Sequence, residues 1–222
     1  MRYKISGEIA QQAIVELNPQ EWLWAANSSL VGYTRDINWS LRVPGGFEGA
    51  LKRSFAGEGT SLTYIESRAE RQRVLLAANQ PGKVIEWDLQ TDGPIIATRG
   101  AFLAAWGPDI DINVTVAKRA GAAIFGGAGL FLQKISGIGK VLVHGSGDFF
   151  QHNLGAGEEL TVSTGNLAAF AASVDYNIRG VGGCRKMLFS GEGLFMTHLQ
   201  GPGRVLLQTL KRTLATRTTT AG

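Results

Sequence analysis

The feature that most constrains this chain is a motif written three times: an aromatic residue, one further residue and Gly-x-Gly, with an apolar pair after it in the last two copies. Phe55 precedes Gly57 and Gly59, Phe125 precedes Gly127 and Gly129, and Phe189 precedes Gly191 and Gly193. The copies stand 70 and 64 residues apart. Two further landmarks keep nearly the same step. Asp36, Asp111 and Asp175 each stand two residues before an asparagine (Asn38, Asn113 and Asn177), at spacings of 75 and 64. A basic residue opens an apolar run at Arg73, Lys140 and Arg204, at spacings of 67 and 64. Three independent landmarks on one period mean an internal triplication. Such repeats are supersecondary units that bury their apolar faces against their neighbours.

The local patterns are those of strands. AIVEL (13–17) and EWLWA (21–25) are short β-branched or aromatic runs separated by the turn residues Asn18-Pro19-Gln20. A small-residue run, a turn and an alternating run recur at 28–39, 103–114 and 167–178, and read as a hairpin in each copy. No amphipathic helix of ordinary length is written; 118–124 and 207–214 read at most as short ones. Thirty glycines against six prolines fit many tight turns rather than a flexible linker.

The expectation is therefore an all-β protein, with a single triplicated domain over 1–210 and a basic flexible tail over 211–222. The repeat landmarks fall near 13–72, 73–139 and 140–210. The third copy stops soon after Leu207, and residues from Ile9 to Leu17 supply the half it lacks, so the repeat reads as permuted across the termini. Pairing of the last strand near the first would close the body and leave no orphan edge. This predicts a closed, double-stranded β-helix-like sandwich or barrel with pseudo-threefold symmetry, not an open solenoid needing polar caps.

Composition narrows the setting. With 222 residues, 44% apolar and 18% charged, the chain can bury a sizeable core and has little disordered character. Cys184 is the lone cysteine, so no disulfide forms within the chain, which suits a reducing compartment. The start, MRYKISGEIA, lacks the apolar core of a secretory signal and the pattern of a transit peptide. The longest apolar run, 120–132, is broken by glycines and too short to span a bilayer. Together these predict a cytoplasmic protein. The net charge of +4 includes Lys211, Arg212 and Arg217, and without those three it is +1, which argues against a nucleic-acid partner.

The search for chemistry yields weak candidates. His144, His152 and Asp148 are the metal candidates, with the two histidines eight apart across the turn GSGDFF and Glu158 nearby. There is no His-x-His pair, and His198 falls in the next copy, so separately placed histidines are the favoured reading and no cofactor is expected. Cys184 stands beside Arg185 and Lys186, which favour its thiolate, yet no His or Asp stands at a recognisable spacing. Gly82-Lys83 and Gly139-Lys140 lack the preceding glycine and following hydroxyl of a phosphate loop. The Gly-x-Gly motifs lead into β-type sequence, so their glycines serve turns or close backbone approach.

The three Asp-x-Asn pairs close their own turns by local hydrogen bonds, or else bring three carboxylates to one axis for a cation. Arg68, Arg71 and Arg73 alternate with Glu66 and Glu70 and read as a solvated charged hairpin. Trp22 and Trp24 share one strand face and, with Trp39, read as core or interface residues.

The segments FAGEGTSLTY, FGGAGLFLQKISGIGKV and LFSGEGLFMTHLQGPGRVLLQTL resemble the altered-inheritance-of-mitochondria family, number twenty-four, and its bacterial relatives, over residues 3–210. The resemblance implies a fold similar to the tryptophan RNA-binding attenuation protein. It also implies homotrimers for bacterial members, and inner-membrane proteins tied to cristae organisation for fungal ones. It supplies no catalytic and no RNA-binding residues. The function expected is a non-enzymatic scaffold or binding protein, a homotrimer recognising a protein or membrane partner. One alternative is a small-ligand binder with a pocket between repeats or subunits. The other is a cupin-like metal-dependent enzyme using His144, His152 and Asp148.

Overall fold

The computed structural model describes residues 1–44, 61–98, 100–116, 131–180 and 195–212. The three aromatic-Gly-x-Gly motifs and Cys184 lie outside these residues. The described chain is strand throughout, with one short 3-10 turn at Thr164–Asn166. After β1 (Arg2–Ser6), a first segment holds β2 (Gln12–Leu17), β3 (Trp22–Ala25), β4 (Leu30–Tyr33), β5 (Ile37–Arg42), β6 (Leu62–Ser67) and β7 (Gln72–Ala77). A second holds β8 (Gly82–Asp88), β9 (Ile95–Thr98), β10 (Phe102–Val116) and β11 (Phe131–Ser146). A third holds β12 (Phe149–Leu154), β13 (Glu159–Ser163), β14 (Leu167–Ala171), β15 (Asp175–Gly180), β16 (Phe195–Gln200) and β17 (Gly203–Gln208).

Pairing is antiparallel within every segment and follows one order. In the first, β7 lies between β2 and β4, while β6 lies between β3 and β5. In the third, β17 lies between β12 and β14, while β16 lies between β13 and β15. In the second, β11 fills both central places. Its later half pairs β8 and the start of β10, and its earlier half pairs β9 and the end of β10. The segments are stitched together by β3 on β10 and by β9 on β14.

Three expectations are corrected here. The recurring hairpin is not one: β4 pairs β7 while β5 pairs β6, so consecutive strands pass into different ladders. The same holds for β6 and β7, which flank the charged turn of Arg68 and Arg71. In the middle segment β10 runs straight through, and a register shift between Trp106 and Asp109 takes up the bend. Gly107 and Gly139 permit it. A Cβ on Gly107 would overlap the Ile138 carbonyl oxygen and lie 2.6 Å from Gly139 Cα.

The body is also not a closed barrel. The sheets are open paths: β1-β2-β7-β4, a ten-stranded sheet running from β12 to β5, and β13-β16-β15. Nor does the last strand pair near the first. The last strand, β17, pairs β12 and β14, while β2 near the start pairs β1 and β7. The reason lies in the basic landmarks. Arg73, Lys140 and Arg204 stand on β7, the later half of β11, and β17, which close each segment instead of opening its second half.

Burial follows the strand period. Ala13, Val15 and Leu17 alternate inward on β2, and Val74 and Leu76 meet them from β7. In contrast, β9 and β14 are buried at every position, since each has strand neighbours on both edges and packed layers on both faces. Leu23 and Ala25 form the core side of β3, so Trp22 and Trp24 occupy its other face, half-buried against Tyr64 at centroid distances of 5.7 and 5.1 Å. No helix among the described residues is long and apolar enough to cross a membrane.

Candidate functional site: a cavity where three segments meet

The turn after β3 (Ala26 to Ser29), the turn after β9 (Thr98, Gly100 and Phe102) and the turn after β13 (Thr164, Gly165 and Leu167) occupy corresponding places in the pairing scheme. All three line one cavity of about 320 Å³. Ala77 at the end of β7, Ala78 to Gln80 beyond it, His144 on β11 and Arg212 beyond β17 complete the wall. The site is thus built from all three segments.

Buried polar groups lock the turns in place. Gln208 is buried, its Oε1 accepting from Ser146 N (3.0 Å) and its Nε2 donating to Gly165 O (2.8 Å). Ser146 Oγ donates to Gln80 Oε1 at 2.6 Å, and Asn166 Nδ2 donates to Gln208 O at 2.9 Å. Thr98 Oγ1 lies 2.9 Å from both the Leu167 and Ala168 carbonyl oxygens, joining the second segment to the third. Thr98→Val leaves those buried carbonyls short of a donor. The expected cost is about 1–3 kcal/mol in a urea unfolding curve, and an unchanged midpoint would show the bond to be dispensable.

Arg212 and His144 form the charged corner. The Arg212 backbone N–H donates to Gly165 O at 2.9 Å, and its Nη2 donates to His144 Nδ1 (2.9 Å) and to His144 O (3.0 Å). An imidazole accepting at Nδ1 carries its proton on Nε2. That Nε2 has no hydrogen-bond partner, and it sits where Gly82 leaves room, 2.8 Å from where a Cβ would stand. Burial, reinforced by the Arg212 cation and opposed by the Gln80 backbone, lowers the His144 pKa to about 4. Burial lowers Arg212 to about 10, so at neutral pH the guanidinium is charged and the imidazole is not. An imidazole this acidic, with Nδ1 already engaged, is a poor general base. Among the described lining residues there is no Asp or Glu.

The metal candidates are not brought together. His144 faces inward, whereas His152 lies on β12 with Nε2 3.2 Å from Glu158 Oε1. Asp148 is exposed, 4.0 Å from Lys83 Nζ, and His198 Nδ1 lies 2.8 Å from Thr161 Oγ1. Among the described residues no three His, Cys, Asp or Glu side chains gather as a ligand set. Asp36, Asp111 and Asp175 are all exposed. The Asp36 N–H donates to the Gln72 side chain and its carbonyl accepts from Arg68 N, while the Asp111 carboxylate accepts from the Asn113 amide. Asp175 opens β15 opposite Gln200.

The residue that sequence reasoning missed is Arg212. Counted as flexible tail, it is seated in the cavity wall. The repeat register carried no signal for it: Arg212 stands eight residues after Arg204, as Pro81 does after Arg73 and Asp148 after Lys140, and neither of those two lines the cavity. Residues 213–222 lie outside the described chain.

Fold and site together define a class: an all-β protein whose like-paired segments surround a largely apolar cavity with one guanidinium in its wall. The family model for mitochondrial biogenesis AIM24 matches residues 3–210, and the chain belongs to that family. It is similar to the X-ray crystal structure of protein SPYM3_0169 from Streptococcus pyogenes, with 24% identity, 95% of this chain and 94% of that one covered, and a TM-score of 0.77. At that identity the likeness shows the fold. No curated protein matches.

Proposed function

We propose that this chain is a non-enzymatic binding protein that takes a small ligand into the cavity between its three segments. The observation that carries this is the cavity wall, to which every segment contributes and in which Arg212 is hydrogen-bonded to His144. On this reading the segments are copies of one six-strand unit set about a pseudo-threefold axis, in the manner of a double-stranded β-helix and of the attenuation-protein fold. The recurring pairing order supports it. The protein is read as cytoplasmic, working without metal and without nucleic acid.

The test is a screen of neutral and charged fragments, read by amide chemical shifts. Saturable shifts clustered at residues 26–29, 77–80 and 164–167 are expected. Shifts scattered over the surface, or no binder at all, would reject the reading.

A homotrimeric scaffold meeting a protein or membrane partner is the second reading, favoured by the sheet edges. Within the chain β3 pairs β10 and β9 pairs β14, yet among the described strands the corresponding β13 and β4 pair only β16 and β7. On that open β4 edge Val31 and Tyr33 are 62% and 50% exposed. Unpaired edges of this kind template association. Light scattering on the full chain should give the mass of a trimer, falling to monomer in V31K/Y33K. A monomeric wild type at micromolar concentration would reject this reading.

A further inference from the structure

Each segment gives the cavity an apolar side chain. The turn after β3 brings Ala26, the turn after β9 Phe102 and the turn after β13 Leu167, with Ala77 and Ala78 beside them. The frame that carries these residues is fixed by bonds made elsewhere. Gln208, Thr98 and Thr164 spend their side-chain polar groups on backbone groups and on Thr197. Arg212 belongs to this frame too, tied to Gly165 and His144, and serves as wall. An apolar cavity whose frame resists collapse holds water poorly and takes apolar molecules readily.

Uncharged polar groups stand at the rim. Asn27, Ser28, Asn79 and Gln80 are exposed there, and Asn79 Nδ2 donates to Ser28 Oγ at 3.1 Å. Amides and a hydroxyl can both donate to and accept from an alcohol or an amide. A charged group carried past them would lose its water to Ala77, Phe102 and Leu167, whose side chains return no hydrogen bond. Among the described lining residues no carboxylate stands ready for a cation. A neutral molecule with an apolar body and one hydrogen-bonding head meets neither obstacle. The volume of about 320 Å³ suits a compact body, such as a single ring.

We propose that the cavity is a binding site for a compact neutral amphiphile, its apolar body among Ala26, Phe102 and Leu167 and its alcohol or amide head at Asn27 and Asn79. Resting on the cavity reading given above, this names its ligand class. A ligand that binds where the three folded segments meet raises thermal stability by mass action.

The experiment titrates the full chain with cyclohexanol, cyclohexanecarboxylate, cyclohexylammonium and glycerol at neutral pH and constant ionic strength, reading the melting temperature and the heat of binding. The three ring compounds share a body and differ in charge, and glycerol offers hydroxyls without that body. Cyclohexanol should give a saturable rise and a negative heat-capacity change. Both ions should bind roughly tenfold or more weaker, and glycerol should give no saturable rise at equal concentration. Asn27→Ala combined with Asn79→Ala should weaken cyclohexanol binding by roughly fivefold, the scale of a lost hydrogen bond.

Ala78→Phe adds a ring to the cavity wall and should abolish the cyclohexanol effect. Should that variant fail to fold, amide chemical shifts of the wild type decide, and cyclohexanol should move residues 26–29, 77–80 and 164–167. Cyclohexanol shifts elsewhere would overturn the proposal, as would unchanged affinity in a folded Ala78→Phe or in the double alanine variant. So would equal affinity for cyclohexanol and either ion. An ion binding at the cavity while cyclohexanol does not would overturn the neutral class and leave the cavity reading standing. No binding by any probe would remove both.

Discussion

Replacing Gly107 with alanine is expected to lower stability by about 2–6 kcal/mol, enough to unfold much of the population of an ordinary domain. The new methyl would overlap the Ile138 carbonyl oxygen and lie 2.6 Å from Gly139 Cα, both backbone atoms with no side-chain freedom to yield. Overpacking of this kind costs about 1–3 kcal/mol, and the φ of +158°, at the border of what L-residues adopt, adds strain of similar order. The position matters because β10 and β11 carry the pairing of the middle segment, and β10 joins it to the first through β3. Gly32→Ala is the control. Nothing lies within 4 Å of its added Cβ, so the change should be neutral or slightly stabilising through the unfolded chain. Urea unfolding of both variants decides the matter; wild-type stability in Gly107→Ala would mean that the β10–β11 crossing yields freely.

Acidification gives the second large effect, and its sign follows from His144. The folded pKa is about 4 and the unfolded value is the ordinary 6.5, so between those limits the unfolded chain binds more protons. Stability is therefore complete above pH 6.5 and falls as pH drops towards 4, by on the order of 2 kcal/mol at pH 5. The physical events are the charging of a buried ring and its repulsion by Arg212. Two carboxylates also have lowered pKa values: Glu21, which overcomes its burial by pairing with the N-terminal ammonium, and Glu158, through the Gly155 N–H and His152. Their contributions fade below pH 4.5 and leave the upper window to histidine. Chemical denaturation at pH 7.5 and pH 5 should show the loss in wild type and a much smaller one in His144→Gln. Identical slopes would mean that His144 is not held neutral in the folded protein.

Much of the strand pattern was legible in the sequence. The short β-branched run 13–17 read as a strand and is one, and the landmarks at Arg73, Lys140 and Arg204 fell on strands doing the same job in each segment. What strands pair with was not legible. The residues between β4 and β5 form a turn whether those strands join each other or leave for β7 and β6, and local sequence carries no record of a distant partner. The same limit produced the permuted closure.

At the site, the spacing of His144 and His152 across a glycine-rich turn marked His144 as chemically interesting, but a single chain of letters does not separate a metal ligand from a buried acceptor. Arg212 was harder still. Counting charge in 211–222 treats it as tail, and only its seat on Gly165 and His144 shows otherwise.

That seat has a consequence for synthesis. Arg212 lies beyond the last strand, while the turns it meets belong to segments finished much earlier. A nascent chain halted before residue 212 has the walls of the cavity and lacks its cation. The cavity wall is therefore completed only when the segment after β17 docks on Gly165 and His144, a step that the earlier turns cannot make among themselves.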